Sequence, residues 1–515
     1  MPRYAAIDIG SNSVRLEVAE VTVSPAGILS PARILVSERQ VTRLGASVFR
    51  TGRISAEAMD FLAGALEGMA QTYRRYEPTA IRAVATSAVR DASNQREFLT
   101  RISAAAGTAV EIISGQEEAR LIHLGVQSRW PHSRQRVLMI DIGGGSAEII
   151  LSQSGRILLA ASKQLGALRL TELFLKTDPP KATELHRLEE YVAERLAPTL
   201  RRVGDIKIDR VIATSATAAA VVAAVNQITR TKRDIADKLR CSSSQLRALY
   251  AGLSEKPLAE RRKVVGIGPR RAEIIVAGAA VLNRVLQDLK LPSLYYSAAG
   301  VRDGIIADLV ARNSGRAATQ MSRDQREMVE GMSTRYGVSL KHVRKVARLS
   351  TELFLALESL HKLPHQYSRL LEAAAHLHDV GHFVSDTRHH KHSYYLVSNS
   401  DMPGFTERER EVIANLCRYH RKAIPTLEHP NWHALDQESR KAVTWLAPLL
   451  RIADNLDRSR GQRIKSLECT VRPTEVVLKL HANVNVDLEA WAAERAGEFF
   501  EQVYNRSIVF TRVRV

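Results

Sequence analysis

The spacing of apolar and polar residues divides the chain into a region of mixed strands and helices and a later, mostly helical region. Apolar runs of strand length at residues 4–7 and 137–140 each lead into a polar turn that contains glycine. Between residues 342 and 360 the apolar positions recur at helical spacing. From about Leu467 the apolar period shortens to two. The pattern therefore predicts an α/β region, a helical region and a small α+β tail.

Two short motifs occur twice within the α/β region. Asp-Ile-Gly-Ser-Asn-Ser at residues 8–13 returns as Asp-Ile-Gly-Gly-Gly-Ser at residues 141–146, and Ala-Thr-Ser-Ala at residues 85–88 returns at residues 213–216. The same order and nearly the same offset indicate a duplication. A polar linker follows at residues 313–320. The predicted domains are two duplicated α/β halves (residues 1–125 and 126–312), a helical domain (321–465) and the α+β tail (466–515).

Composition and charge narrow the class of protein. The chain has 515 residues, of which 45% are hydrophobic and 25% charged, as expected of a globular protein with several domains. Its net charge of +19 attracts polyanions such as nucleic acid, polyphosphate or nucleotides. Aromatic residues are only 5%, which disfavours a stacking surface for single-stranded nucleic acid. Basic clusters that could line a track for a long polyanion lie at residues 261–263, 270–271 and 388–392.

The cysteines and the apolar runs bear on the compartment. The three cysteines, Cys241, Cys417 and Cys469, are too scattered for a disulfide framework or a cysteine-based zinc site. Asp8 interrupts the first apolar run, so a secretory signal is not expected. No apolar run approaches the length that spans a bilayer. We expect a cytoplasmic protein that neither crosses membranes nor binds a specific nucleic acid sequence.

The duplicated glycine turns carry the first candidate chemistry. In each turn an aspartate, Asp8 or Asp141, ends an apolar strand. Glycine adopts positive φ and lacks a Cβ atom, so successive amides can cradle an anion at close range. The aspartates stand where a hydrated Mg²⁺ would bind protein and phosphate through oxygen. One such turn would fit an ordinary hairpin equally well, but two favour a phosphate site. The predicted phosphate-binding residues are Ser11, Asn12, Gly143, Gly144, Gly145 and Ser146.

Four stretches, at residues 86–92, 111–120, 141–148 and 297–304, resemble the bacterial exopolyphosphatase and guanosine pentaphosphate phosphohydrolase family. The duplicated halves are similar to those of the actin-like ATPase and sugar-kinase superfamily, with its ribonuclease H-like fold. The resemblance implies a Mg²⁺-dependent, homodimeric enzyme that removes the terminal phosphate from a chain of phosphoanhydrides.

The resemblance places the catalytic carboxylate at Glu118. The residues agree, because a strand-like segment and a turn precede a helix whose first turn contains Glu118, between the two halves. A carboxylate there can hold water in line with a terminal phosphorus and accept its proton. The alternative is that Glu118 only stabilises the helix N-terminus. Glu117 would point about 100° away.

Three further residues are candidates near the turns. Glu148 corresponds to Arg15 of the first half, so we predict that Glu148 binds metal or water and that Arg15 contacts anionic oxygens. Arg90, one helical turn beyond the Thr-Ser motif, is a candidate phosphate clamp. The alternative for each is an ordinary surface residue. Together with Asp8 and Asp141, Glu148 forms the predicted metal site.

The helical region contains a second set of candidate ligands. Its His-Asp pair, on one predicted helix, and a distant aspartate resemble the HD metal-dependent phosphohydrolase superfamily. The resemblance implies a possible second divalent-metal site, and the alternative is core histidines without metal. Three other histidines, His376, His389 and His390, have no clear role. The candidate ligands are His342, His378, Asp379, His392, His420 and Asp454.

The leading functional hypothesis is a processive exopolyphosphatase that uses Glu118 and Mg²⁺. The first alternative is hydrolysis of guanosine pentaphosphate (pppGpp) at the same site, which differs only in what lies beyond the second phosphate. The second alternative is a weakly catalytic regulator that senses polyphosphate or nucleotide, and retention of Glu118 and Glu148 argues against it. A sugar kinase is disfavoured, because no sugar-pocket signature is visible.

Overall fold

The computed structural model describes residues 1–22, 32–131, 134–204, 206–229, 232, 237–313 and 320–514. The chain forms two compact units, Met1–Ala311 and Arg312–Val515. The predicted linker at 313–320 lies mostly outside the described residues, at 314–319. The prediction of a mixed α/β region followed by a mainly helical region is confirmed.

The first sheet of unit 1 has the strand order β3-β2-β1-β4-β5. Its strands are β1 (Arg3–Ile9), β2 (Ser13–Glu20), β3 (Arg33–Val41), β4 (Ala80–Ala85) and β5 (Val110–Ile112). The associated helices are α1 (Leu44–Thr51), α2 (Ala56–Arg74), α3 (Ser87–Asp91), α4 (Gln95–Ala106) and α5 (Gly115–Arg129). β1 pairs antiparallel with β2 and parallel with β4, so the first glycine turn and the end of β4 meet at one edge.

The second sheet repeats this arrangement with the order β10-β11-β9-β6-β7-β8. Its strands are β6 (Arg136–Ile142), β7 (Ala147–Gln153), β8 (Arg156–Lys163), β9 (Arg210–Thr214), β10 (Arg240–Ser242) and β11 (Ser293–Tyr296). The helices are α6 (Ala167–Phe174), α7 (Ala182–Val203), α8 (Ser215–Val225), α9 (Ser243–Glu255), α10 (Leu258–Arg261), α11 (Pro269–Ala272), α12 (Ile275–Asp288) and α13 (Val301–Asn313). β6 pairs antiparallel with β7 and parallel with β9, as β1 does with β2 and β4.

Helix α5 packs against the central strands of both sheets. Leu121 belongs to the core that contains Tyr4 and Ala6 of β1. Ile122 belongs to the core that contains Val137 and Met139 of β6. Because successive strand residues point to opposite faces, the other faces of β1 and β6 pack against separate sets of helices. The first turn of α5 therefore lies at the edge where the two glycine turns end.

Unit 2 is a helical bundle that shares one core with a three-stranded sheet. Its helices are α14 (Arg323–Arg335), α15 (Leu340–Ala356), α16 (Glu358–His361), α17 (Gln366–Leu377), a 3-10 helix (Val380–Phe383), α18 (His389–Ser398), α19 (Glu407–Tyr419), α20 (Pro430–His433), α21 (Gln437–Asn455) and α22 (Asp487–Tyr504). The sheet has the order β12 (Ile464–Val471), β13 (Glu475–Ala482), β14 (Ser507–Arg514). Among the described residues, no helix is both long and apolar enough to cross a membrane.

Two details of unit 2 differ from the predicted pattern. The helix predicted over residues 342–360 ends at Ala356 and is followed by the short α16. The His378-Asp379 pair does not lie within one helix, because α17 ends at Leu377 and a 3-10 turn follows. In this 3-10 turn Gly381 approaches the backbone of α18 so closely that a Cβ atom would overlap the His389 carbonyl oxygen.

Candidate active site

The two glycine turns of unit 1 face each other. A Cβ atom on Gly144 would lie 3.2 Å from the Cβ atoms of both Ser11 and Asn12. Each turn closes in the same way: the Gly10 amide donates to the Ser13 carbonyl at 3.1 Å, and the Gly143 amide donates to the Ser146 carbonyl at 3.0 Å. The structure thus brings the predicted phosphate-binding residues of the two turns together.

The reason for glycine in the second turn differs from our prediction. Gly143, Gly144 and Gly145 do not have the positive φ that the sequence argument invoked. Close approach explains Gly145, because a Cβ atom there would lie 2.6 Å from both the Ser11 and the Ser87 hydroxyl oxygens. The missing side chain therefore lets the two turns come together.

The two hairpins have equivalent strand registers. Asp8 of β1 lies opposite Arg15 of β2, and Asp141 of β6 lies opposite Glu148 of β7. Arg15 opposes the burial that raises the pKa of Asp8. No cation faces Asp141 at the corresponding position, since Glu148 occupies it. The second hairpin is therefore the more acidic of the two.

Asp141 is held by a residue that the sequence analysis did not select. The Thr214 hydroxyl, at the end of β9, donates to an Asp141 carboxylate oxygen. Burial raises the pKa of Asp141 to about 6, although the Thr214 hydrogen bond and the Arg15 charge act in the opposite direction. Thr214 belongs to the repeated Ala-Thr-Ser-Ala motif, so the duplication was the signal that could have found it.

Glu118 lies in the first turn of α5, as predicted. The Ser114 side chain caps the helix by accepting a hydrogen bond from the Glu117 amide at 3.2 Å. Arg90 donates to the Glu118 carboxylate at 3.3 Å and to the Ile113 carbonyl at 2.7 Å. Burial raises the pKa of Glu118 to about 7; Arg90 opposes this, and the Asp8 and Asp141 charges add to it. A neutral-range pKa suits a general base at physiological pH.

Glu148 is almost fully buried at 1% exposure and lies against β8. The Ser162 hydroxyl of β8 donates to its carboxylate at 2.8 Å. Burial raises the pKa of Glu148 well above its usual range, and the Glu118 and Asp141 charges raise it further. A Cβ atom on Gly115 would overlap the Ser162 side chain, so the start of α5 sits directly on this strand. Ser162 was not predicted, because only the folded sheet brings β8 to the site.

Glu118, Asp141 and both glycine turns line one cavity of about 680 Å³, whereas Arg90, Glu148, Ser162 and Thr214 are not among its described lining residues. Both glycine turns, the carboxylates Asp8, Glu118, Asp141 and Glu17, and the guanidinium groups of Arg15, Arg39, Arg129, Arg271 and Arg302 border it. Backbone amides and cations at its wall suit phosphate groups. Burial raises the pKa of each of these four carboxyl groups, and carboxylates suit a divalent cation bound through oxygen.

The cleft carboxylates suit a Mg²⁺ ion that keeps several of its water ligands. Among the described residues, sets of three ligand atoms within 4.8 Å occur at the histidine cluster of unit 2 and are not found at the cleft carboxylates. Mg²⁺ usually retains several waters and binds through one or two carboxylates together with substrate phosphate. Asp141 and Asp8, one on each hairpin, are placed for that mode, with Glu148 beside Asp141.

The predicted polyanion track is only partly supported. Arg261 is buried at 5% exposure and its guanidinium binds Asp178, so this residue cannot bind a polyanion. Arg270 and Arg271 instead border a side cavity of about 380 Å³ together with Arg39. This cavity shares Asn12, Arg39, Ala216 and Arg271 with the main one. The cationic surface therefore continues from the turns past residues 270–271.

Unit 2 gathers most of the predicted histidine and aspartate ligands. Asp454 lies 3.4 Å from His342 Nε2 and 3.3 Å from His378 Nε2. The other ring nitrogens of these histidines have partners: His342 Nδ1 is 2.9 Å from Asp457, and His378 Nδ1 donates to the Ala375 carbonyl at 2.9 Å. This pattern leaves each Nε2 directed toward the aspartate, the arrangement that metal-ligating histidines adopt.

His392 is the one predicted ligand that the structure does not bring to this cluster. His389, one helical turn earlier on α18, lies there instead, with its Nε2 3.2 Å from His420 Nε2 and 3.7 Å from Asp379. Within the described residues, the groups with metal-ligand spacing are His342, His378 and Asp379, and Asp379, His382 and His389. The error arose because the sequence does not show which face of α18 packs against α19.

Two opposed glycine turns above buried carboxylates, on a mixed α/β fold, form a site suited to the hydrolysis or transfer of phosphate groups. The profile of the Ppx/GppA phosphatase family matches residues 22–313, and that of Ppx/GppA phosphatase domain III matches residues 325–495. The chain belongs to the Ppx/GppA phosphatase family, and the resemblance inferred from its motifs is confirmed.

Similar proteins cover either most of this chain or about three fifths of it. A Vibrio vulnificus protein named guanosine-5'-triphosphate,3'-diphosphate pyrophosphatase is 26% identical over 463 residues, 89% of this chain and 88% of the relative. The crystal structure of the Aquifex aeolicus Ppx/GppA family member has a TM-score of 0.53 at 28% identity and covers 61% of this chain and 99% of that chain. An exopolyphosphatase from Cytophaga hutchinsonii has a TM-score of 0.55 at 26% identity, with coverage of 60% and 97%.

Proposed function

We propose that this protein hydrolyses the terminal phosphoanhydride bond of inorganic polyphosphate, with pppGpp as the alternative substrate at the same site. The observation that carries the proposal is the position of Glu118, a buried carboxylate that borders a cavity shared with two amide-lined turns. We also interpret the matching strand orders of the two sheets as duplicated actin-like halves.

The proposed reaction assigns a task to each part of the cavity. The amides of the two turns bind the terminal phosphates and fix their orientation. Glu118 accepts a proton from a water molecule as that water attacks the terminal phosphorus, and the shortened phosphate chain leaves. Arg90 orients the Glu118 carboxylate before substrate binds. Mg²⁺ held by Asp141, Glu148 and Asp8 would neutralise phosphate charge.

The side cavity favours a long phosphate chain. Its basic side chains, Arg39, Arg270 and Arg271, continue the cationic surface beyond the turns, and no acidic residue is among the described residues that line it. Phosphates beyond the second one carry one charge each, so this surface would stabilise a chain that leaves the cleft here. The name of the Vibrio relatives favours pppGpp instead.

Phosphate release measured side by side on long-chain polyphosphate and on pppGpp tests the proposal. We expect Mg²⁺-dependent release from at least one of them, lost in Glu118→Gln. Arg270→Ala should weaken the apparent affinity for long polyphosphate more than for pppGpp. Arg262→Ala is the matched control, because Arg262 pairs with Glu273 and is absent from the described lining of both cavities. Binding without turnover on either substrate would favour the regulator alternative.

We further propose that unit 2 binds a divalent metal at the HD-like cluster. The convergence of His342 Nε2 and His378 Nε2 on Asp454 supports this, and none of the described residues donates a hydrogen bond to either nitrogen. Metal content of the full chain should fall in His378→Ala and stay unchanged in His365→Ala, whose exposed ring pairs with Glu358. Equal metal content in all three proteins would show that the histidines form a metal-free core.

A further inference from the structure

Glu117, the residue before the proposed base, is held by two arginines. Arg120 donates to both of its carboxylate oxygens, at 2.7 and 2.9 Å. Arg82 donates to Glu117 at 3.1 Å, to Asp308 at 3.2 Å and to Glu111 at 3.1 Å. Arg120 also reaches Asp308 at 2.8 Å. Glu117 is therefore fixed in direction by three charge-assisted hydrogen bonds.

This network joins α5, near its start, to β4 and α13. Arg82 comes from β4, Glu117 and Arg120 come from α5, and Asp308 comes from α13. Arg82, Glu117 and Asp308 are all below 9% exposure. A buried network in which every charge has a partner is rigid, because removing one member leaves another charge buried without compensation.

The same elements border the phosphate cavity. β4 leads into Thr86, which lines the cavity, and into α3, whose Arg90 donates to Glu118. α13 begins at Val301, and residues 300–303 line the cavity as well. The network thus ties together the backbone segments that carry Glu118 and its neighbours.

Helices α5 and α13 also lie unusually close at this point. A Cβ atom on Gly304 would overlap the Leu121 carbonyl oxygen, and one on Gly125 would overlap the Gly300 carbonyl oxygen. Because the backbones touch, a shift of α5 along α13 would require both helices to move apart. The ion network and these glycine contacts act on the same helix pair.

The two adjacent glutamates have opposite environments. Although burial acts to raise it, the Arg120 and Arg82 guanidinium groups hold the pKa of Glu117 below its usual range. Burial instead raises the pKa of Glu118 to about 7. Successive helix residues point about 100° apart, so one carboxylate faces the network while the next faces the cavity. Glu117 is a fixed anion, and it is not suited to exchange a proton at neutral pH.

We propose that Glu117 is a positioning residue. Its carboxylate, which is hydrogen-bonded to Arg82 and Arg120, fixes the first turn of α5 so that Glu118 faces the terminal phosphate. This inference rests on the proposed role of Glu118 as the base. A displacement of about 1 Å in a catalytic group is enough to slow a reaction substantially.

Steady-state kinetics of the full-length protein test this role with two variants. Glu117→Gln removes the negative charge. Arg120→Lys keeps the positive charge but cannot donate the same pair of hydrogen bonds to Glu117. We expect kcat to fall about 10- to 100-fold in Glu117→Gln and less in Arg120→Lys, with little change in KM. The acidic midpoint of the kcat–pH profile should move down, because a loosened Glu118 becomes better solvated and its pKa falls.

Asp178→Asn is the matched control, because it removes the partner of the buried Arg261 away from the cavity lining. It should lower the melting temperature and leave kcat and the pH midpoint unchanged. If Glu117→Gln does not fold, Arg120→Lys decides the question. A folded Arg120→Lys with wild-type kcat and pH midpoint would overturn the positioning role. Full activity in Glu118→Gln would instead overturn the proposed role of Glu118 as the base, on which this inference rests.

Discussion

Glu118 must be deprotonated to act as a base, and its surroundings set the pH at which that happens. Burial, opposed by Arg90, raises its pKa to about 7. We therefore expect kcat to rise with pH through about 7 and to decline below it, as the carboxylate takes up a proton. A pH–rate profile at saturating substrate measures this. An acidic limb near the ordinary glutamate pKa would assign the limb to a different group.

Replacing Glu118 with glutamine tests the base directly. The amide cannot accept the proton from water but keeps the size of the side chain, so we expect kcat to fall about 10²- to 10⁴-fold with substrate binding preserved. Phosphate release and equilibrium binding of polyphosphate measure the two effects. Glu67→Gln, on the exposed side of α2, is the control and should behave as wild type. Wild-type kcat in Glu118→Gln would transfer the role to Glu148.

Asp141→Asn should weaken Mg²⁺ dependence and activity together. The neutral amide oxygen binds a hard cation less well than a carboxylate does. The hydrogen bond from Thr214 can persist in the variant, because the amide retains an acceptor oxygen. A titration of activity against Mg²⁺ should shift to higher concentration and reach a lower plateau. An unchanged titration would place the cation elsewhere.

At the scale of elements, the two turns work only if they approach each other. Gly145→Ala places a methyl group about 2.6 Å from the Ser11 and Ser87 hydroxyls, so these side chains or the turn itself must shift. We expect a higher KM and lower kcat for any phosphate substrate, measured by steady-state kinetics. Gly64→Ala is the control: its site in α2 has open space within 4 Å, and the change should be neutral or stabilise the helix by about 1 kcal/mol.

The elements that could be predicted from sequence are those with local signals. Both hairpins combine a strand, an aspartate and a glycine turn within a dozen residues, and the motif occurs twice in the sequence. Ser114 and the start of α5 follow ordinary capping rules. The choice between His389 and His392, and the burial of Arg261 against Asp178, depend on packing between distant segments. Periodicity alone does not encode such contacts.

At the scale of the whole molecule, each unit has cores of its own. Unit 1 contains both turns, the cleft carboxylates and the network around Glu117, and its buried apolar residues form clusters of their own. Unit 2 contains a single large cluster that joins its helices to its sheet. That the protein forms a homodimer and is located in the cytoplasm remain predictions.

A chain that ends at Asn313 should therefore fold and hydrolyse short phosphate chains. It should bind long polyphosphate less tightly, because it lacks the cations of unit 2, including those at residues 388–392. Each basic group that contacts a polyanion releases counterions, so log affinity should fall linearly with log salt by about 0.7–0.9 per contact, by analogy with nucleic acid. Binding measured over a salt series should give a steeper slope for the full chain than for the truncated one. Equal slopes would mean that unit 2 does not contact the substrate, and its histidine cluster would then serve a separate reaction.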